Sequence, residues 1–376
     1  MSMLVYGIFW LSLLLLAYTF AGYPLCIWWL ARVFPQRVCK LAITPTVTVV
    51  IAVHEGAGMV RARLENLLAL DYPKDRMDIV VACDGCLDDS AEQCRQFSGL
   101  GIQVLEFAQR RGKAACLNDA VAAASGELLL MIDVRQKLDP LALRELAANL
   151  ADPSVGAVSG ELRLHEARSG FSQGVDAYWR YETLIRQAES RSGSTVGVTG
   201  ALYAMRRELF QPLPAGTVLD DVLIPMRIAA AGRRVIFEPL ALAWDRPSQQ
   251  PFQERLRKIR TLAGNYQLVQ LAPWLLRPGR NPLWGRFVSH KLLRLMAPWL
   301  LLLLGVCSAA LATRHGVCAL TLLALVTGGI LVLLDRWMPT SERLLPMRLA
   351  VAFCYLNLFA AQALIAFVRN RRLHLW

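Results

Sequence analysis

The 376 residues are 55% hydrophobic and only 19% charged, with a mean hydropathy of +0.38, which excludes a disordered, collagen-like or purely soluble chain. The formal charge of +12 is unevenly placed: residues 252–294 hold +8, the stretch from 295 onward +5, and residues 1–251 sum to −1. A basic excess confined to a segment beside apolar spans points to anionic headgroups or phosphorylated ligands. It points away from nucleic acid, whose binders carry the excess on the folded domain.

Residues 3–31 carry no charged side chain, and at ~1.5 Å per residue a helix of that length exceeds a ~30 Å hydrocarbon core. Arg32, Arg37 and Lys40 follow, so the segment reads as an uncleaved anchor with its C-terminal end cytoplasmic. Beyond it, strands alternate with helices. Apolar runs at 47–53, 79–83, 102–107 and 128–132 read as strands, and 61–70, 90–97, 114–124 and 222–231 as helices. A further helix is expected with Asp139 as N-cap and Pro140 at its first position. This alternation predicts an α/β domain with an open, mostly parallel sheet.

Such sheets bind ligands outside the carboxyl ends of their strands. The rule selects Glu55, Asp84 and Asp133, each within two residues of a predicted strand end, and Asp220-Asp221 stands just before a helical run. Asp88 and Asp89 precede Ser90 and read as helix caps, whereas no helix starts directly after Asp84 or Asp133.

Residues 252–277 mix basic side chains with Leu256, Ile259, Leu262, Tyr266, Val269 and Trp274. The segment reads either as a helix in the headgroup plane or as a connector with a solvated basic face. Spans are expected at 292–312, 317–334 and 349–368; the last carries Asn357 and Gln362 and either packs against protein or stops short of a full crossing. Four crossings leave Arg369, Arg371 and Arg372 on the outer side, against the positive-inside tendency. Cys83 and Cys86 form a C-x-x-C without a second pair, so the nine cysteines read as small buried hydrophobes in a reducing compartment. The division expected is an anchor at 1–40, a catalytic-type α/β domain at 41–250, an interfacial segment at 251–290 and membrane helices at 291–376.

Residues 47–55, the run Leu64-Glu-Asn-Leu-Leu-Ala-Leu-Asp-Tyr-Pro73, Asp84-Gly85, Arg111-Gly112-Lys113, Asp133, Gly197-Val-Thr-Gly200, Asp220-Asp221 and residues 257–267 occur in an order that resembles the membrane-embedded family 2 glycosyltransferases, relatives of the cellulose, chitin and hyaluronan synthases. The likeness covers about residues 44–270 and the flanking spans. It implies a GT-A fold that transfers a sugar, with inversion, from a UDP-sugar to a growing polysaccharide or glycan, at the cytoplasmic face of the inner (plasma) membrane. It places Glu55 and Asp84 at the base and ribose, Lys113 on the nucleotide, and Asp133 on a Mg²⁺ or Mn²⁺ bridging the diphosphate. Asp221 becomes the general base, Asp220 its neighbour raising its basicity, Gly200 part of the acceptor loop, and Arg257 and Arg260 the contacts to the diphosphate.

Two departures from the family pattern bear on chemistry. The D-x-D is Asp133-Val134-Arg135, so either Asp133 with waters holds the metal or Arg135 supplies countercharge to the diphosphate. Arg257-Lys-Ile-Arg260-Thr261 lacks the tryptophan of Q-x-x-R-W, which leaves acceptor stacking to Tyr178, Trp179 and Tyr181, unless their helix lies against core or membrane. Alternative readings are transfer of one sugar to a polyprenyl phosphate carrier, and a membrane module that binds a nucleotide-sugar without chemistry.

Overall fold

The computed structural model describes residues 2–164, 170–245, 251–334 and 345–369. Strands β1 (Val47–Val53), β2 (Met77–Asp84), β3 (Ile102–Phe107), β4 (Leu128–Ile132), β5 (Lys137–Leu138), β6 (Val155–Leu164), β7 (Tyr203–Arg206) and β8 (Arg234–Asp245) form one sheet in the order β3-β2-β1-β4-β7-β6-β8-β5. The β1–β4 half is parallel, β7 runs antiparallel between β4 and β6, and β6 with β8 is parallel again. Every residue of β1 and β4 is buried, because helices cover both faces there, and continuous apolar runs are what such strands require. Two apolar cores result, one on each face of the sheet: Ile51, Leu64 and Leu143 belong to the first, and Val50, Leu117 and Leu223 to the second.

The helices in chain order are α1 (Ser2–Ala17), α2 (Tyr23–Val33), α3 (Ala57–Leu68), α4 (Ser90–Arg95), α5 (Lys113–Ala123), α6 (Ala142–Asn149), α7 (Gly170–Arg191), α8 (Asp220–Ala230), α9 (Pro251–Leu271), α10 (Trp284–Phe287), α11 (Leu293–Leu311), α12 (Gly316–Leu334) and α13 (Leu345–Arg369). Of the helix starts that differ from the sequence expectation, two have a local hydrogen-bonding cause. Helix α6 begins at Ala142, not at Pro140, because the Asp139 carboxylate accepts the Leu141 N–H at 3.0 Å and its carbonyl accepts the Ala142 N–H, closing a turn ahead of the helix. Helix α3 begins at Ala57 rather than 61, because its first N–H groups find distant partners: Asp88 accepts from Ala57 at 3.0 Å and Ser90 Oγ from Gly56 at 2.8 Å. Asp88 is thus the cap its position suggested, although part of its work is for another helix.

Gly126, ahead of β4, sits where a Cβ would stand 2.5 Å from the backbone nitrogen of Thr48. Gly126→Ala is expected to push β1 and β4 apart and cost about 1–3 kcal/mol, read as a lowered unfolding temperature in detergent.

Four helical stretches, Met3–Val33, Trp284–Leu311, Gly316–Leu334 and Met347–Arg369, have the length and hydropathy to cross a membrane. The second starts at Trp284 instead of 292: α10 runs through a π-turn, Val288–Leu292, into α11. Arg286, His290, Lys291 and Arg294 made these turns look non-apolar, but Arg286, His290 and Arg294 are satisfied by partners on α7 and just beyond it. Helix α9 packs against α13, with Arg255 donating to Gln362 Oε1 at 3.0 Å, while Gln267 donates to the Gly216 carbonyl at 2.8 Å and accepts from Val218 at 2.9 Å. It thereby ties the sheet domain to the last span. Arg371 and Arg372 lie outside the described residues.

Candidate active site

The sheet brings together residues that are more than a hundred positions apart. Lys113, the first residue of α5, reaches across to Asp133 Oδ1 at 3.0 Å, beyond the end of β4, and to Asp220 Oδ2 at 3.2 Å, at the start of α8. Buried Arg63 fixes the Asp133 turn by donating to the carbonyls of Asp133 (2.8 Å) and Val134 (3.3 Å). The Val198 N–H donates to the Asp221 carbonyl at 2.9 Å and the Thr199 N–H to Ser159 Oγ at 3.0 Å, which holds the 197–200 loop over the cluster. A Cβ on Gly200 would stand 3.7 Å from both Asp133 Oδ2 and Lys113 Nζ, so the glycine keeps the space above these charges open.

Burial pushes the Asp221 carboxyl up to about 6, and the adjacent Asp220 charge adds to the rise against the opposing pull of Lys113 and Lys291. The sequence expectation named Asp220 as the cause; desolvation is the larger. Burial acts to lower Lys113, yet Asp133, Asp220 and Asp221 outweigh it and hold the ammonium above its ordinary range. Arg260, on α9, is lowered by burial while the same carboxylates pull it back up, which puts its guanidinium in their field.

Asp84 is fully buried, and its two oxygens accept the backbone N–H groups of Arg111 (2.7 Å) and Gly112 (2.8 Å). The carboxylate therefore fixes the loop that delivers Lys113. Gly85 is required beside it: its φ is +58° and a Cβ would lie 2.5 Å from Arg110 N. Glu55 is exposed at the end of β1 with φ +49°, an uncommon conformation for a side-chain-bearing residue.

Asp133 Oδ2, which Lys113 leaves open, is the oxygen that would hold a divalent cation, and Mg²⁺ commonly binds through one or two carboxylates. Among the described residues no three His, Cys, Asp or Glu side chains converge as a ligand group. Arg135 does not replace the missing carboxylate in kind: it pairs with buried Asp245, which also accepts from Gln136 at 3.0 Å.

Beside Asp221 lies a cavity of about 380 Å³ whose walls include Trp179, Arg186, Arg257, Lys291 and Arg294. Trp179 is thus at the site. Tyr181 instead donates to the Phe20 carbonyl at 2.9 Å, against the first span, and Tyr178 belongs to a stretch of α7 whose side chains lie outside the described residues. Sequence reasoning missed Arg186 and Glu182 altogether. It counted Lys291 and Arg294 only as part of the basic excess, a signal that pointed to the region without separating cavity from surface.

The model of the family "Glycosyltransferase like family 2" matches residues 45–264. The chain is 24% identical over 219 residues to the probable glycosyltransferase YdaM of Bacillus subtilis, covering 54% of this chain and 50% of that one. It is 24% identical over 205 residues to the poly-β-1,6-N-acetyl-D-glucosamine synthase of Staphylococcus aureus, covering 53% and 49%. The chain spans about half the length of these curated relatives. Among solved structures, the mannosyltransferase PcManGT from Pyrobaculum calidifontis, in complex with GDP-Man and Mn²⁺, superimposes with a TM-score of 0.75 at 26% identity, over 97% of this chain and 99% of that one.

Proposed function

Because the chain belongs to the family 2-like glycosyltransferases and has their GT-A fold, we propose that it transfers a sugar, with inversion, from a UDP-sugar to a glycan acceptor at the cytoplasmic face of the inner membrane. The observation that carries this reading is the convergence of Lys113, Asp133, Asp220 and Asp221 under the Gly200 loop, next to Arg260. The cytoplasmic placement is supported by Arg32, Arg37 and Lys40 after the first span.

In this reading the donor's diphosphate meets Lys113 and Arg260, with Arg257 at the rim, and the nucleoside rests on the loop that Asp84 holds. Asp133 holds Mg²⁺ or Mn²⁺, which supplies electrostatic stabilisation to the departing diphosphate. Asp221 takes the proton of the acceptor hydroxyl as its oxygen bonds to the anomeric carbon, and Trp179 borders the acceptor side. The neighbour's complex with GDP-Man and Mn²⁺ supports a nucleotide-sugar donor and a metal, and the named polysaccharide synthase supports a glycan acceptor.

The test is nucleotide release by purified protein in detergent from a panel of UDP-sugars and GDP-mannose, with Mg²⁺, Mn²⁺ or chelator. Release of UDP that chelator suppresses is expected. Turnover of GDP-mannose alone would overturn the donor assignment, and full activity in chelator the metal assignment.

A further inference from the structure

The cavity beside Asp221 carries more positive charge than a neutral sugar needs. Arg135, Arg186, Arg257, Lys258, Lys291 and Arg294 line it, against the carboxylates of Glu182 and Asp221 alone. Arg135 and Arg294 are paired with Asp245 and Glu182, but Arg186, Arg257 and Lys291 form no ion pair among the described residues. Lys291 stands near the start of a membrane span, where an ammonium is costly; Glu182, Asp221 and Glu189 act on it without forming an ion pair, and an anionic ligand would add to them. The cavity also adjoins a second one. A groove of about 440 Å³, lined by Phe20, Leu349, Ala352 and Phe353, shares Leu262, Arg294 and Leu356 with it as a common wall. Its exposed lining is almost wholly apolar, and it runs between the first and last spans. A cationic chamber with Asp221 in its wall, sharing a further wall with an apolar groove between membrane helices, matches a molecule that carries a long hydrocarbon chain, a phosphate and a sugar, in that order.

We infer that the acceptor glycan arrives on a phosphorylated long-chain lipid, its phosphate held by Arg186 and Lys291 and its chain in the groove between the first span and α13. The inference rests on the transfer reading above and names its acceptor. The step balances without a further reactant: the hydroxyl of the lipid-borne sugar gives its proton to Asp221, its oxygen forms the new glycosidic bond, and the anomeric bond to the nucleoside diphosphate breaks, the diphosphate leaving with the electron pair. An ordinary phospholipid is the wrong ligand, because it brings no sugar hydroxyl to the base.

The experiment places the full chain in phosphatidylcholine nanodiscs with labelled UDP-sugar and compares three acceptors: a polyprenyl diphosphate carrying one N-acetylhexosamine, bare polyprenyl phosphate, and a water-soluble oligosaccharide. Transfer to the lipid-borne sugar is expected to exceed transfer to the soluble one by about tenfold or more, and Arg186→Gln and Lys291→Gln each to raise KM for the lipid acceptor about tenfold with KM for the donor unmoved. Ala352→Trp, which fills the groove, is expected to do the same. Equal use of the soluble oligosaccharide, or variants that leave the lipid KM unchanged, would overturn the inference while the transfer reading stands; use of bare polyprenyl phosphate alone would overturn the sugar-bearing acceptor. If no donor turns over, the transfer reading fails, and binding of the polyprenyl diphosphate sugar by native mass spectrometry, weakened or not by Lys291→Gln, decides the site separately.

Discussion

Asp221→Asn is expected to lower kcat by about 10²–10⁴-fold, the usual worth of a positioned general base, with little change in KM for the donor. The substitution keeps size and hydrogen-bonding reach but removes the lone pair that takes the proton, so an effect confined to kcat separates chemistry from binding. The same residue sets a pH limb. Its carboxyl, pushed up to about 6, must be ionised to act, so kcat/KM should fall as pH drops below about 6, and this limb should vanish in the residual activity of the variant. Stability moves the other way: a carboxyl whose folded pKa is raised binds its proton more tightly in the folded state, so its contribution declines as pH rises from the ordinary aspartate range through about 6. At pH 7 the asparagine variant should therefore unfold no earlier than the parent. A variant with parental turnover would remove Asp221 from the mechanism.

The charge balance of the cleft explains why several cations are gathered there. Lys113 forms the ion pairs to Asp133 and Asp220, with Arg260 and Lys291 acting on the cluster at longer range, so a diphosphate entering among three carboxylates would need further positive charge. In the proposed reading Arg260 and a divalent ion at Asp133 would supply that on the donor side, while the basic cavity lies on the other side of Asp221. Asp221 is thus flanked by two basic regions, which the proposal assigns to the leaving group and to the acceptor's carrier.

The parallel half of the sheet was legible because its strands are buried on both faces and read as unbroken apolar runs. Strands β6 and β8 were not anticipated: each mixes buried with exposed positions, and Gly160 and Glu161 in β6 and Glu238 in β8 break the pattern at a register shift. In the site, Lys113, Asp133 and Asp221 stood out by motif and strand-end position. Asp84 stood out too, but its partners are backbone N–H groups 27 and 28 residues away, which spacing cannot reveal. The polar residues at the start of the second span were hardest to read. Arg286, His290 and Arg294 are paid for by acceptors on and just beyond α7, about a hundred residues upstream, and local hydropathy registers only the cost.

Those partners form the junction on which the largest stability effect is expected. Glu189 is fully buried; it accepts the Tyr23 hydroxyl at 2.5 Å, and its Oε1 lies 2.8 Å from His290 Nδ1. His290 Nε2 lies 3.0 Å from Glu182, which in turn pairs with Arg294, while Arg286 donates to the carbonyls of Glu189 and Ser194, both at 2.6 Å, and of Ser192 at 2.8 Å. One carboxylate thus joins the first span, α7 and the start of the second span. Glu189→Ala would strand a buried imidazole and hydroxyl beside two arginines and should cost about 3–5 kcal/mol, because removing one member of a buried charge network leaves the others uncompensated. Glu189→Gln retains an acceptor for Tyr23 and should cost less, and Tyr23→Phe, which removes one hydrogen bond to a charged group, about 1.5–3 kcal/mol. Burial acts to raise Glu189, but His290 and Arg286 hold it below the ordinary glutamate range; its stabilising share is therefore present at neutral pH and lost as pH falls through that range and below. Thermal unfolding in detergent at pH 7 and pH 4 checks both points: the gap between parent and Glu189→Ala should narrow in acid. Unfolding of Glu189→Ala at the parental temperature at pH 7 would mean that apolar contacts alone hold the spans to the catalytic domain. The network then could not be what fixes Lys291, the residue after His290, at the wall of the acceptor cavity.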